Sequence, residues 1–335
     1  VTEADVAALG VHRIAIPIPF ASAGGPVNVY AIDAPDGSLI LFDAGLGSQA
    51  SYASLEAGLA GLGRSLADVS RIVVSHGHVD HFGAARHVQE RCGDGPPPVF
   101  AHPGDLPKID ETGPTFQELG PRLRAHLTRH GVPDEVCRAV GRSGERAHAF
   151  ARRVKDVQRI EAGQEVVGRS VRFEVLHLPG HTPGLIALHE PARRLLLPAD
   201  HLLERISPNP LIELGPEGQA DWYRPLITYL ESLGRTRALE LDLVLPGHGP
   251  PFAGHRAVID GLLGFYEKRQ ARLRGLLADG PRSGWALCSA LFPSAAAAEA
   301  FLTMSETLAN LEVLEARGEV EREAAGDGWR YRSAA

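Results

Sequence analysis

Apolar and polar positions divide the chain into a strand-rich stretch followed by a helix-rich one. Residues 11–18, 27–32 and 38–42 read as three strands, separated by turn residues at Ala23-Gly24-Gly25-Pro26 and Pro35-Asp36-Gly37. Residues 55–63 have helical spacing. The apolar run Arg71-Ile72-Val73-Val74 reads as a buried strand, and it runs directly into Ser75-His76-Gly77-His78-Val79-Asp80-His81-Phe82-Gly83. A helix is expected over 81–91, stopped by Pro96-Pro97-Pro98, with a short strand at 99–101. Strands resume at 164–167 and 171–176, a hairpin-like pair follows at 185–189 and 193–197, and a helix at 226–233 precedes a buried strand at 241–245. From about residue 256 the pattern is helical, over 255–277, 284–291 and 295–316. Strands at 319–323 and 329–332 then flank Ala325-Gly326-Asp327-Gly328, a good hairpin turn.

Residues 103–160 fit neither pattern. Strand signals are absent, and helical stretches are interrupted at Gly113-Pro114, Gly120-Pro121 and Gly131-Val132-Pro133. Between residues 122 and 159 ten basic residues face four acids, so this segment is net positive in a chain of net charge −7. It reads either as a solvated helical face or as a lid whose positive side attracts an anionic substrate. The acidic balance of the whole chain gives no general attraction for nucleic acid.

At 335 residues, 44% of them hydrophobic, the chain is long enough for one large domain and a small one. Cys92, Cys137 and Cys288 are far apart and lack metal-ligand spacing, so no disulfide framework is expected. No apolar run of about eighteen residues occurs, and Val1-Thr2-Glu3-Ala4-Asp5 lacks the basic and apolar regions of a signal peptide. The expectation is a cytoplasmic protein without a membrane span.

The chemistry gathers at strand ends. His76 and His78 sit two apart and can point the same way; Asp80 and His81 follow and can serve a second ion beside the first. Imidazole and carboxylate ligands suit zinc, and also iron or manganese. Three later segments repeat the arrangement of strand, sharp turn and polar residue. They are Pro179-Gly180-His181-Thr182-Pro183-Gly184, then Pro198-Ala199-Asp200-His201, and Pro246-Gly247-His248-Gly249-Pro250. Asp43, at the end of the third strand, either caps the next helix or accepts a hydrogen bond from a ligand histidine.

Taken in order, His76-Gly77-His78-Val79-Asp80-His81, His181, Asp200 and His248 resemble the full dinuclear ligand set of the metallo-β-lactamase-fold hydrolases. The resemblance covers about residues 11–255. It implies that His76, His78 and His181 hold one metal, that Asp80, His81 and His248 hold the other, and that Asp200 bridges them. It gives Asp43 a supporting role behind the ligands. The implied fold is α/β, a four-layer αββα sandwich with the metals at the sheet edge. Residues 256–335, helix-helix-helix-hairpin, resemble the winged helix appended in one branch, the β-lactamase-like protein 2 type. The implied domains are 1–255, with the helical lid 103–160 inserted, and 256–335. Ser75 and Ala199 depart from the family's usual Thr and Gly; both are small. True zinc β-lactamases replace the bridging Asp, often by Cys, whereas Asp200 is present here. Glyoxalase-II-type thioesterases commonly carry a further histidine where Gly77 stands.

The expected activity is hydrolysis of an ester, thioester, lactone or phosphodiester of a small anionic substrate. A hydroxide between two divalent ions, foremost Zn2+ with Fe or Mn as alternatives, would attack, and Asp80 or Asp200 would accept its proton. The alternative is a single-strand endoribonuclease or phosphodiesterase; further behind is a metal-sensing DNA-binding protein. Both need a basic reading helix, yet Glu299, Glu306, Glu312 and Glu315 lie on the third C-terminal helix, with no basic residue before Arg317. That points to a structural or homodimer-forming role for the C-terminal module.

Overall fold

The computed structural model describes residues 3–19, 25–92, 95–214, 223–294 and 299–334. The turn expected at 23–24 and the start of the helix expected at 295–298 lie outside the described residues. By contacts the chain forms two units. Val1–Gly113, Ala147–Pro208 and Arg235–Val258 make the first; Pro114–Arg146, Asn209–Gly234 and Ile259–Ala335 make the second.

The first unit opens with α1 (Glu3–Ala8), then β1 (Val11–Ile16), β2 (Val27–Asp33) and β3 (Leu39–Phe42), paired antiparallel in turn. Helix α2 (Gln49–Gly61) leads to β4 (Val69–Val73), parallel to β3. The short helices α3 (Val79–Phe82) and α4 (Ala85–Arg91) lead to β5 (Val99–Ala101), which α5 (Leu106–Ile109) follows. Two longer helices come next, α6 (Phe116–Arg129) and α7 (Asp134–His148). After them β6 (Gln158–Arg159) completes a six-stranded sheet in the order β1-β2-β3-β4-β5-β6. The second sheet takes β7 (Glu165–Val167), β8 (Arg172–His177), β9 (Ile186–Glu190) and β10 (Leu195–Ala199). After α8 (Pro225–Arg237), β11 (Leu243–Pro246) joins β10 in parallel, giving the order β11-β10-β9-β8-β7.

Period-two alternation sets the layers. In β2, Val27, Val29 and Ala31 share one core with Leu55 and Leu59 of α2 and Val88 of α4. Tyr30 and Ile32 point the other way, into a core with Phe173, Val175, Leu188 and Leu195 of the second sheet. In β3, Leu39 and Leu41 take the first side and Ile40 and Phe42 the second. The first sheet is therefore covered on both faces, by helices and by the second sheet, which is why β3 is apolar at every position. The result is the expected mixed α/β architecture of stacked sheets with helices outside.

Two local features differ from expectation. The helix expected over 81–91 is split at Gly83, where a Cβ would lie 2.3 Å from the Val79 oxygen and 2.6 Å from the Gly47 nitrogen. Its first turn, α3, starts earlier and carries both Asp80 and His81. Strand β6, within the segment that shows no strand signal, is two exposed polar residues that hydrophobic patterning cannot reveal.

In the second unit, α6 and α7 share a core with α9 (His255–Leu277), α10 (Gly284–Leu291), α11 (Ala300–Ala316) and the hairpin β12 (Val320–Ala325) and β13 (Gly328–Ser333). Leu127, Val136 and Val140 pack in it with Leu273, Leu287, Met304, Leu311 and Tyr331. Residues 114–146, expected as an insertion in the first domain, thus share a core with the C-terminal helices. Among the described residues no helix is long and apolar enough to cross a membrane.

Candidate metal centre

One end of the stacked sheets collects the polar residues, because each follows a strand. Asp43 comes directly after β3, Asp200 directly after β10 and His248 two residues after β11. His76 and His78 follow β4, α3 presents Asp80 and His81, and His181 lies between β8 and β9. Three sets of donor atoms converge there: His76, His78 and His181; His76, His81 and Asp200; Asp80, His81 and His248. Within each set the atoms lie no more than 4.8 Å apart. Because His76 and His81 each belong to two sets, the three form one continuous cluster.

A chain of hydrogen bonds orients three of the rings. Ser48 caps α2 by accepting from the Ser51 amide, so that helix does not need Asp43. The Asp43 carboxylate, 1% exposed, instead accepts from the Ser75 amide (2.7 Å), from the Ser75 hydroxyl (2.8 Å) and from His81 Nδ1 (2.8 Å). With its proton given to Asp43, the Ser75 hydroxyl accepts from His76 Nδ1 at 2.9 Å. His248 Nδ1 faces two carbonyl oxygens, of Pro26 at 3.2 Å and Gly25 at 3.3 Å, and can only donate to them. In His76, His81 and His248 alike, the Nδ1 proton is fixed and Nε2 is directed into the cluster, as metal ligands require.

The cluster separates electrostatically into two halves. Burial and then neighbouring imidazoles hold His76 well below the usual histidine range. Burial, then His181 and Lys108, do the same for His78. These rings are neutral and offer lone pairs. For His81 burial also opposes charge, but the Asp200, Asp43 and Asp80 carboxylates outweigh it and push the ring well above its ordinary value. His248 behaves alike: against burial, Asp200 and Asp80 raise it to about 10. In return His248 and His81 hold the Asp200 carboxyl well below the usual range despite burial.

The donor set fits divalent cations. His81 Nε2 and Asp200 Oδ1 are buried, 3.4 Å apart, and neither has a hydrogen-bond partner. Two partnerless buried polar atoms facing one another are costly unless a cation lies between them. Asp80 Oδ2 and Asp200 Oδ2 stand 3.4 and 3.5 Å from His248 Nε2.

Several supporting residues lie outside anything the local pattern could reveal. Asn28 Nδ2 donates to the Pro246 and Gly249 carbonyls, both at 2.8 Å, and Tyr30 Oη donates to Pro246 at 2.8 Å. These bonds pin the His248 loop to β2 across more than two hundred residues, and their only sequence trace is a buried Asn in an apolar strand. Lys108 lies across Gly77, where a Cβ would come within 2.8 Å of its Cδ. His177 Nε2 donates to the Pro183 carbonyl at 2.9 Å and stacks on His102; His201 Nε2 bonds Thr236 at 2.8 Å. Both lie beside the cluster rather than in it. Four of the ten basic residues of the basic segment are engaged elsewhere: Arg124 and Arg138 pair with Asp134, Arg152 with Glu90, and Arg153 with the Pro107 and Asp110 carbonyls.

Residues 23–248 match the family model described as the metallo-beta-lactamase superfamily. The chain is 32% identical over 311 residues to the probable metallo-hydrolase YqjP of Bacillus subtilis, covering 90% of this chain and 92% of that protein. Among solved structures, a metallo-beta-lactamase family protein of Thermus thermophilus superimposes with a TM-score of 0.80 at 29% identity, covering 97% of this chain and 98% of that one. A beta-lactamase domain protein of Burkholderia ambifaria superimposes at 0.77 with 27% identity, covering 97% and 93%.

Proposed function

The chain belongs to the metallo-β-lactamase superfamily, and from that premise we propose a metallo-hydrolase with a two-ion centre acting on an ester, thioester, lactone or phosphodiester. The observation that carries this reading is the continuity of the three donor sets through His76 and His81. His76, His78 and His181 would hold one ion, Asp80, His81 and His248 the other, and Asp200 would serve both. We expect Zn2+, since its usual ligands are these, although iron and manganese take the same set. When bound, such ions lower the pKa of a shared water and polarise the substrate oxygen.

The rest is the work of the chain's own groups. Asp43, directly and through Ser75, keeps the protons of His81 and His76 on Nδ1. Asp80 and Asp200 are the carboxylates placed to orient the attacking water and take its proton. Lys108, beside His78, supplies positive charge for an anionic group of the substrate. A nucleic-acid substrate is disfavoured. Helix α11, third in the helix-helix-helix-hairpin order we read as a winged helix, is buried along most of its length. Its Glu306 pairs with Arg269 and its Glu315 with Arg322 inside the unit, leaving no basic reading face.

The test is zinc reconstitution with metal analysis, then turnover of a chromogenic phosphodiester beside thioester and lactone panels, with Asp200→Asn as control. Two zinc equivalents and hydrolysis of one class, both diminished in the variant, are the expected result. Full turnover with both ions retained in Asp200→Asn would remove that residue from the centre.

A further inference from the structure

The donor-bearing loops come from different sheets, one following β4 and the other joining β8 to β9. One buried side chain outside the cluster joins them. Asp105, just before α5, is 0% exposed. Its Oδ2 accepts from the Gly77 amide at 2.8 Å and from the Thr182 hydroxyl at 2.5 Å; its Oδ1 accepts from the Gly184 amide at 3.1 Å. Gly77 stands between His76 and His78, and Thr182 follows His181.

The His181 loop and the Gly104–Asp105 segment meet backbone to backbone. A Cβ on Gly184 would lie 2.5 Å from the Asp105 nitrogen and 2.8 Å from its Cβ and Cγ. One on Gly104 would lie 2.8 Å from the Pro183 carbonyl carbon and oxygen. No side chain fits at Gly184 or Gly104, and from this close approach the Asp105 carboxylate reaches the Gly77 amide in the other donor-bearing loop. A buried carboxylate served by neutral donors alone is costly to desolvate, and an apolar contact would join the sheets more cheaply. What an apolar contact cannot do is hold two amides and a hydroxyl at defined distances on either side of His76, His78 and His181.

We propose that Asp105 is a positioning residue that fixes the separation of the His76–His78 loop and the His181 loop, and so sets the affinity for the ion those three histidines would hold. This rests on the reading of those histidines as ligands. Asp105→Asn nearly preserves volume but leaves one amide, of Gly77 or Gly184, facing an NH2 group instead of an acceptor. That loop must shift, and the ligand triangle opens with it.

The experiment titrates metal-stripped full-length protein with Co2+, following visible absorption, and repeats it for Asp105→Asn, Thr182→Val and His181→Ala. Thermal unfolding of each metal-free form is measured in parallel. Asp105→Asn should weaken the histidine-rich site about 10- to 100-fold and change the Co2+ band shape, which reports coordination geometry. Thr182→Val, which removes one of the three bonds, should move both in the same direction by less. It carries the test alone should Asp105→Asn not fold. A purely structural residue would lower metal-free stability and leave affinity and spectrum of the folded protein unchanged; that result in both variants overturns the proposal. If His181→Ala binds Co2+ as the wild type does, the ligand reading itself fails and takes this proposal with it.

Discussion

A single methyl group at Gly247 should disable the centre without replacing any proposed ligand. Gly247 precedes His248; its amide donates to the Ala199 carbonyl at 2.9 Å and its carbonyl accepts from the Asn28 amide at 2.7 Å. Its φ lies outside the left-handed region, so alanine carries no backbone strain there. The methyl would lie 2.2 Å from Asp200 Oδ1, about 1.2 Å inside the 3.4 Å at which ordinary contact begins. It would also meet the Ala199 carbonyl carbon at 2.9 Å and His81 Cε1 at 3.1 Å, so neither neighbour offers an easy retreat. Relief must come from turning the Asp200 carboxylate or from moving the loop. Overpacking of this kind costs about 1–3 kcal/mol. A carboxylate displaced by about 1 Å in a centre that needs it should cost on the order of a hundredfold in turnover. The assay compares Gly247→Ala with wild type in the urea midpoint of the metal-free protein, in zinc stoichiometry and affinity, and in kcat/KM. A variant that binds two zinc ions with wild-type affinity and turns over within about twofold of wild type would refute the packing argument at Asp200, by the same criterion of a tenfold step per about 1.4 kcal/mol.

Asp43→Asn should lower metal affinity about 10- to 100-fold. Its oxygen must serve the Ser75 amide, its NH2 then faces His81 Nδ1, and the ring moves its proton to Nε2; metal titration is the check, and unchanged affinity counts against the relay. The positive φ of 67° at residue 43 suits Asn, so the backbone should not contribute. Ala199, directly before Asp200, has φ 48°. Ala199→Gly removes a left-handed alanine costing about 1–2 kcal/mol, partly offset by glycine's greater entropy in the unfolded chain. A raised thermal midpoint is expected, and a lowered one would show that the site depends on the alanine's rigidity. His248 has a folded pKa raised to about 10 by Asp200 and Asp80 against burial. Its contribution to metal-free stability is therefore complete below about 6.5 and lost as pH rises through about 10. Urea midpoints of the metal-free protein should fall across that window while zinc affinity rises as the proton is surrendered; midpoints that climb would contradict the Asp200–His248–Asp80 coupling.

The layers and the cluster were legible for the same reason: each proposed ligand follows an apolar strand, and both the strand and its end are local signals. The start of α10 is sharp because Ser283 caps it, accepting from the Ala286 amide. Asp43 could not be resolved between a cap and an acceptor, because only the folded chain shows that Ser48 caps α2. What the pattern could not reveal were contacts between distant segments. Asn28 meets Pro246 and Asp105 meets Thr182 only after the sheets have stacked, and neither pair has a local signature. Strand β6 is too short and too polar to show a period.

Counted charge misleads for a related reason: it does not see partners. The basic run between residues 122 and 159 reads either as a solvated helical face or as a lid attracting an anionic substrate, and the glutamates of α11 argue against a nucleic-acid-reading helix. In the folded second unit, Arg124 and Arg138 share Asp134, Arg269 holds the half-buried Glu306, and Arg322 reaches Glu315. Burial pushes the Glu306 carboxyl up while Arg269 pulls it down, the signature of an internal pair rather than a surface acid. Such pairs contribute geometry more than stability; the one-to-one pairs Arg269–Glu306 and Arg322–Glu315 cancel at long range, whereas Arg124 and Arg138 share one carboxylate and keep a net positive charge. On the proposed reading, substrate selection by charge would rest on groups beside the cluster, where burial leaves interactions less screened. Lys108 is the cation so placed: it is one of three lysines in the chain, its side chain fills the space left by Gly77, and its charge already bears on His78.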